Sequence, residues 1–286
     1  MFLTTLASGI ILAAGGAVAG YALDRRGVNW LDSANLLPNE SGISPSTVPG
    51  IAQGRPVPTE VPAVQGVYGR FAIPRLAKVP VAGGEISAIP GNRGLLALTV
   101  DDGVSAATIK GYCDFVERTG FRMTFFVTSN YDGWVDNKVQ LRRLIESGHV
   151  QMANHTVSHP SLTKCSDHEV VRQLAGCERF LKNTFGVSAR PYFRPPFGDI
   201  DDRVARIAAN EGYSTPVLWY GSFADAGKTS PIQVRAMARR WLLPEHIVIG
   251  HANNTSVTHC FDYIESLMHT RKLQPVTLDD IYTRSA

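Results

Sequence analysis

Leu95-Leu96-Ala97-Leu98-Thr99-Val100-Asp101-Asp102-Gly103 is the stretch on which the fold turns. The apolar run, bounded by Gly94, reads as a buried strand. It stops abruptly at two adjacent carboxylates and a glycine. The carboxyl end of a strand is where α/β proteins place their chemistry, and Gly103 permits a tight turn into the next helix. The plainest use of an aspartate here is to cap that helix. One cap needs one aspartate, so the other is surplus, and the residues downstream decide its use.

Working outward towards the C-terminus, helical and strand patterns alternate. Residues 104–119 read as a helix stopped by Gly120, 121–127 as an aromatic and β-branched strand, 135–147 as an amphipathic helix before Gly148, and 149–153 as a short strand. Ser166-Asp167-His168-Glu169 is a capping box opening a helix that runs to Phe185 and stops at Gly186. Strands are expected at 192–194, 217–220, 247–249 and 275–278, and helices at 201–210, 232–242 and 256–269. Repeated strand–helix units imply a parallel sheet, and their number favours a barrel, closed or incomplete, over an open sheet.

Working towards the N-terminus, residues 2–23 carry no charge and then meet Asp24, Arg25 and Arg26. That length can cross a bilayer. Ala17-Val18-Ala19 is a candidate cleavage site, but no Lys or Arg precedes the run, so signal peptide and membrane anchor both stay open for 1–26. Residues 27–92 hold Pro38, Pro45, Pro49, Pro56, Pro58, Pro62, Pro74, Pro80 and Pro90 among Ser, Gly and Thr, without sustained periodicity. This is a linker, whose last part is apolar enough to pack along the domain of residues 93–286. With 286 residues, 44% hydrophobic and 19% charged, the chain has room for one large domain with a sizeable core. A net charge of +3 without a Lys/Arg-rich block gives no reason to expect a nucleic-acid partner. Cys113, Cys165, Cys177 and Cys260 form no Cys-x-x-Cys pair and read as small buried thiols.

Three further motifs lie where strands end. His155-Thr156-Val157-Ser158-His159 follows the 149–153 strand, and its two imidazoles meet on one face if the loop takes a helical turn. Two histidines with one carboxylate leave an open coordination position, the arrangement of catalytic zinc; a lone pair at this spacing is more often a surface feature. In Phe193-Arg194-Pro195-Pro196-Phe197-Gly198 the prolines set a stiff extended path suited to holding a guanidinium against a carboxylate, or simply a rigid turn. Ile247-Val248-Ile249-Gly250-His251 ends a buried strand in a histidine. Alone, that histidine would be structural. With polar residues at the same end of successive strands, a catalytic reading overtakes it.

The order Thr-Val-Asp-Asp-Gly, His-Thr-x-Ser-His-Pro, Arg-Pro-Pro-Phe-Gly and Ile-Gly-His resembles the polysaccharide deacetylase family, carbohydrate esterase family four or NodB homology domain, over residues 94–280. The resemblance implies a distorted (β/α) barrel of seven or eight parallel strands that removes acetyl groups from amino sugars of a glycan with a divalent metal. It implies Asp102, His155 and His159 as metal ligands and Asp101 as the base that takes a proton from water. Arg194 would hold Asp101, and His251 would protonate the leaving group. A backbone N–H at Phe197, beside Pro196, would serve the oxyanion. Zinc suits this ligand set, and cobalt or nickel fit as well. The family usually has Tyr where Phe197 stands, and two spaced acids followed by Trp after the strand bearing Trp219. In Trp219-Tyr220-Gly221-Ser222-Phe223-Ala224-Asp225-Ala226 only Asp225 matches, with Ser222 and Ala226 replacing the first acid and the Trp. That stretch would shape the groove and tune His251. The expected partner is an acetylated glycan, peptidoglycan- or chitin-like, at the cell envelope, with the membrane reached through 1–26 if that segment is uncleaved. An O-acetyl glycan esterase and a non-catalytic glycan-binding member of the same fold are the alternatives.

Overall fold

A computed structural model describes residues 68–81, 83–91 and 94–284. The apolar segment 1–26 and the Pro-rich stretch as far as residue 67 lie outside the described residues. In chain order the first elements are β1 (Val79–Pro80), β2 (Leu95–Asp102), α1 (Ala106–Thr119), β3 (Met123–Val127), α2 (Gly133–Asp136), α3 (Lys138–Glu146), β4 (Val150–Asn154) and α4 (Asp167–Phe185). There follow β5 (Tyr192–Phe193), α5 (Asp202–Asn210), β6 (Thr215–Pro216), β7 (Gly221–Ser222), α6 (Pro231–Trp241) and β8 (Ile247–His251). The chain closes with α7 (Phe261–Thr270), β9 (Gln274–Pro275), α8 (Leu278–Ile281) and β10 (Tyr282–Thr283).

The main sheet runs in the order β6-β5-β4-β3-β2-β8-β7, with β9 beside the start of β2. Every pairing in it is parallel. Laid flat, that row of strands would be about 29 Å wide. Only residues 217–220 separate β6 from β7, at opposite edges, and that connection reaches about 18 Å at full extension. The sheet must therefore curl, and its edges approach each other as a distorted (β/α) barrel. Residues 217–220, expected as a strand, make no continuous ladder because successive amides turn to different partners. Val217 N–H donates to Phe193 O (2.8 Å), Leu218 N–H to Ile86 O (2.7 Å) and Tyr220 N–H to Ile247 O (2.8 Å). The incoming chain occupies the gap between the edges: Ile86 N–H donates to Pro216 O (2.9 Å) and Ile89 N–H to Glu245 O (2.9 Å).

β2 is central and buried along its whole length, as a parallel strand covered on both faces should be. Period-two alternation sorts its side chains. Leu96, Leu98 and Val100 join the layer between sheet and helices. Leu95 and Ala97 join the barrel interior with Phe126, Ala153, Tyr192, Val217 and Ile247. Thr99 and Asp101 continue the interior row, so the first carboxylate points into the barrel. At the strand's end Asp102 takes φ 74° and Gly103 φ 112°. A Cβ on Gly103 would lie 2.1 Å from the Trp134 indole nitrogen, whose N–H donates to Asp102 O (2.8 Å). The turn after the two carboxylates is thus pinned by packing. Ser105, not either aspartate, caps α1, its hydroxyl accepting from Thr108 N–H (3.2 Å), and Gly120 ends the helix in the left-handed region. Both carboxylates are left for other work.

Two more elements differ from expectation for local reasons. The helix expected over 135–147 breaks at Asn137, whose side-chain amide donates to Ala106 O (3.0 Å) and Gly133 O (2.9 Å); such side chains compete with helical hydrogen bonding. The strand expected over 275–278 ends at Pro275, because Thr277 caps α8 in a reciprocal pairing with Asp280. At Ser166 only half of the capping box forms. Its hydroxyl accepts from Glu169 N–H, while the Glu169 carboxylate turns to Arg172 (2.6 Å) and Gln173 (2.8 Å).

Residues 68–81 run along the domain. Tyr68 and Phe71 both stack on His269, with ring centroids 4.6 and 4.4 Å away, and β1 pairs with β10. Among the described residues no helix is long and apolar enough to cross a membrane. All four cysteines are free thiols. Burial pushes Cys113 and Cys177 up to about 12, which makes them inert.

Candidate active site

The carboxyl ends of β2, β4, β5 and β8 bring the motifs together inside the mouth of the barrel. Asp101 is 2% exposed and Arg194 is fully buried. Arg194 Nη1 donates to Asp101 Oδ1 (2.6 Å) and Thr99 Oγ1 (2.9 Å). Its Nε donates to Val217 O (2.8 Å) and its Nη2 to Leu218 O (3.1 Å). The guanidinium lies over the Phe126 ring, 4.1 Å from its centroid. Arg194 therefore spans the barrel from β2 to the strandless crossing between the sheet edges. Asp101 Oδ2, the oxygen not held by Arg194, lies 3.4 Å from His155 Nε2.

Asp102, His155 and His159 meet beside this pair. Asp102 Oδ1 is 3.6 Å from His155 Nε2 and 3.3 Å from His159 Nε2, and the two imidazole nitrogens are 3.1 Å apart. The loop does not take a helical turn. Thr156 and His159 adopt φ 72° and 59°, a conformation costing about 1–3 kcal/mol each. Neighbours impose it: Asn154 Oδ1 accepts from Thr156 N–H (2.8 Å), and Gln173 Oε1 on α4 accepts from Val157 N–H (2.9 Å) and Ser158 N–H (3.0 Å). His155 Nδ1 faces Arg194 O at 2.7 Å. A carbonyl only accepts, so Nδ1 carries the proton and Nε2 keeps its lone pair. Burial, with His159 alongside, pulls His155 down to about 3, so it is neutral at neutral pH.

This donor set fits a divalent cation. Asp102 Oδ1 is buried without a hydrogen-bond partner, although the lone pairs of His155 and Asp102 converge. Ligand atoms around a tetrahedral zinc-sized ion lie about 3.4 Å apart, close to the observed 3.1, 3.3 and 3.6 Å. Among the described residues this is the one trio of His, Cys, Asp or Glu so arranged.

Across the mouth, His251 Nδ1–H donates to Asp225 Oδ1 (2.9 Å), and His251 N–H donates to Asp225 Oδ2 (3.2 Å). Asp225 thus holds the histidine with both oxygens and is 1% exposed. Its stretch is expected to shape the groove and tune His251, and Asp225 stands directly against that histidine. Burial works against a charged His251, but the hydrogen bond and charge of Asp225, then the charges of Asp102 and Asp101, outweigh it and hold the imidazolium to about pH 9. In Asp225→Asn the charge partner is lost and burial dominates, so the pKa of His251 falls. A reaction that needs the imidazolium then loses rate at lower pH than the wild type. The check is the alkaline limb of the kcat–pH profile, and an unmoved limb would separate Asp225 from any tuning of His251.

Phe197 takes φ 62°, is 43% exposed, and packs edge-on against His159, centroids 4.6 Å apart. Pro196 is buried beneath it. Trp219 lies under the same turn, where a Cβ on Gly198 would be 3.2 Å from its ring. Of the departures from the family pattern, Ser222 ends β7 and Ala226 lies in the loop after it, next to Asp225; the Ser222 hydroxyl accepts from Ala224 N–H (2.9 Å). Residues not foreseen include Thr99, Asn154, Gln173 and Asn253, whose amide donates to Asp102 Oδ2 (2.7 Å). Each is a common polar residue in an unremarked position, and no spacing rule would have found it.

The mouth of this parallel α/β barrel thus gathers a carboxylate-and-two-histidine cluster, a buried acid–arginine pair and a carboxylate-held histidine. The polysaccharide deacetylase family profile matches residues 88–216. Chitin deacetylase 1 of Cryptococcus neoformans is 35% identical over 197 residues, 68% of this chain and 38% of that protein. A peptidoglycan-N-acetylglucosamine deacetylase of Bacillus cereus is 30% identical over 202 residues, 68% of this chain and 71% of that protein. The crystal structure of the Bc1960 peptidoglycan N-acetylglucosamine deacetylase superimposes with a TM-score of 0.64 at 24% identity, covering 71% of this chain and 94% of that one. The chain belongs to the polysaccharide deacetylase family.

Proposed function

We propose that this protein is a metal-dependent hydrolase removing acetyl groups from N-acetylated amino sugars of an envelope polysaccharide, peptidoglycan- or chitin-like. The observation that carries the reading is the convergence of Asp102 Oδ1, His155 Nε2 and His159 Nε2 to within 3.6 Å of one another with no proton available from His155 Nε2. Names borne by relatives in the family support the substrate class. A zinc, cobalt or nickel ion held by Asp102, His155 and His159 would supply Lewis acidity and lower the pKa of water towards about 7.

The remaining roles belong to the chain. Asp101, anchored through Oδ1, presents Oδ2 to take a proton from the attacking water. Arg194 prevents that carboxylate from turning away. The backbone N–H at Phe197 donates to the oxygen that becomes negative when the amide carbon turns tetrahedral. His251, kept charged by Asp225, gives its proton to the departing amine, without which an amide C–N bond does not break at useful rates. Phe197 and Trp219 offer aromatic surface for a sugar ring. Residues 1–26 would deliver the domain to the envelope as signal or anchor, with 27–92 as spacer ahead of the 93–286 domain.

The test is acetate release from N-acetylglucosamine oligomers by the full chain, stripped with a chelator and then reconstituted with zinc. Release that vanishes on stripping and returns with zinc is expected. Equal release from the stripped chain would remove the metal from the reaction. No release from N-acetyl oligomers, with release from an acetylated xylan, would move the assignment to O-acetyl esters.

A further inference from the structure

We propose that Asn253 is a positioning residue that selects which oxygen of Asp102 faces the two histidines and ties that choice to the loop holding His251. The inference rests on reading Asp102, His155 and His159 as a cation site.

Sheet register puts Asn253 there. Asp101 on β2 is paired with His251 on β8, so the residues following His251 pass beside Asp102 and Gly103. The backbone of Ala252 is then clamped from both sides: its N–H donates to Asp101 O (2.9 Å), and its carbonyl accepts from Ser105 N–H (2.9 Å). Asn253 is left overlooking Asp102. Its Nδ2 donates one proton to Asp102 Oδ2 (2.7 Å) and the other to Ala226 O (3.1 Å). Both partners can only accept, so the orientation of the amide is forced by chemistry.

The consequence falls on Asp102. A free carboxylate can rotate and offer both oxygens to a cation. Here Oδ2 already carries a hydrogen bond, while Oδ1, buried and unpartnered, points at His155 and His159. Asn253 therefore favours a single, aimed oxygen. Its second bond ties the same choice to Ala226, next to Asp225, so the proposed cation site and the loop holding His251 share one amide. Asn254 provides a contrast. It holds the same loop, donating to Asp225 O (2.9 Å) and Gly227 O (2.8 Å), and it accepts from Ser256 N–H (3.1 Å), but its bonds do not reach Asp102.

The experiment titrates the metal-stripped full chain with zinc against a chromophoric chelator, and records the visible absorption of the cobalt form. Asn253→Ala is expected to weaken zinc about 10- to 100-fold, the usual cost of losing an outer partner of a ligand. Its cobalt bands should shift as Asp102 changes its mode of binding, while the melting point of the stripped chain stays close to wild type. Asn253→Ser, whose hydroxyl is too short to reach Asp102, should behave the same way. Asn254→Ala should lower the melting point of the stripped chain and leave zinc affinity unchanged. Tight zinc binding by the wild type with equal affinity in Asn253→Ala overturns this inference alone. A wild-type chain without zinc affinity overturns the cation-site reading and this inference with it.

Discussion

Asp101→Asn lowers kcat for acetate release by about 10²- to 10⁴-fold, the contribution typical of a positioned general base, and leaves zinc affinity within a few-fold of wild type. The two halves of this expectation come from different atoms. Asn keeps an oxygen that can accept from Arg194 Nη1, so the side chain stays where it was. What it loses is the second oxygen's ability to take a proton. The proposed metal ligands are Asp102, His155 and His159, and the contact of Asp101 with that group is a single 3.4 Å approach to His155. Zinc affinity and rate therefore separate. The substitution also leaves the Arg194 guanidinium buried beside a neutral partner, so a lower melting point is expected and the assay belongs well below it. Steady-state kinetics with a parallel zinc titration decides the matter. Near-wild-type kcat removes Asp101 as the base, and a rate lost together with zinc would make it a ligand instead.

Much of this arrangement was legible in the sequence because strand-to-loop transitions are written locally. Leu95–Asp102 has an apolar run long enough to be a strand and an abrupt end, so the placement of Asp101 and Asp102 at a carboxyl terminus needed no tertiary information. The helices stopped by Gly120 and Gly186 were equally readable, because a left-handed residue after a helix strongly favours glycine. Legibility failed where a segment's partner is distant. Residues 217–220 look like a strand by composition, yet their amides serve Phe193, Ile86 and Ile247 in turn, because they bridge two edges that meet only once the sheet has curled. The 155–159 loop looked as if it required a helical turn. Two residues with positive φ bring the imidazoles together instead, held by Asn154 and by Gln173 from a helix that follows later in the chain. Asp225 was visible as a motif match in a stretch expected to tune His251, but its two-oxygen hold on that residue was not, since the contact depends on β7 lying beside β8.

Arg194→Lys should cost the protein about 1–3 kcal/mol for each buried acceptor it leaves without a donor, out of a total stability of roughly 5–15 kcal/mol for a domain. Lysine retains the charge, so a purely electrostatic role would survive the change. The observed role is geometric. Arg194 serves Asp101 Oδ1, Thr99 Oγ1, Val217 O and Leu218 O from three nitrogens in a plane, and it stacks on Phe126. A single ammonium cannot reach acceptors on both sides of the barrel at once. At least one buried carbonyl of the crossing segment then goes without a donor, at about 1–3 kcal/mol each. Because 217–218 have no ladder of their own, the barrel wall loosens where it is already interrupted. Catalysis falls with it, since Asp101 is no longer held in one orientation. Chemical denaturation of wild type, Arg194→Lys, Asp101→Asn and the double variant separates these effects. If the pair acts as a unit, the double variant loses less stability than the two single losses combined, by about 0.5–3 kcal/mol. Strict additivity would mean that Arg194 stabilises the barrel through the carbonyls alone, and that its hold on Asp101 matters to the reaction but not to the fold.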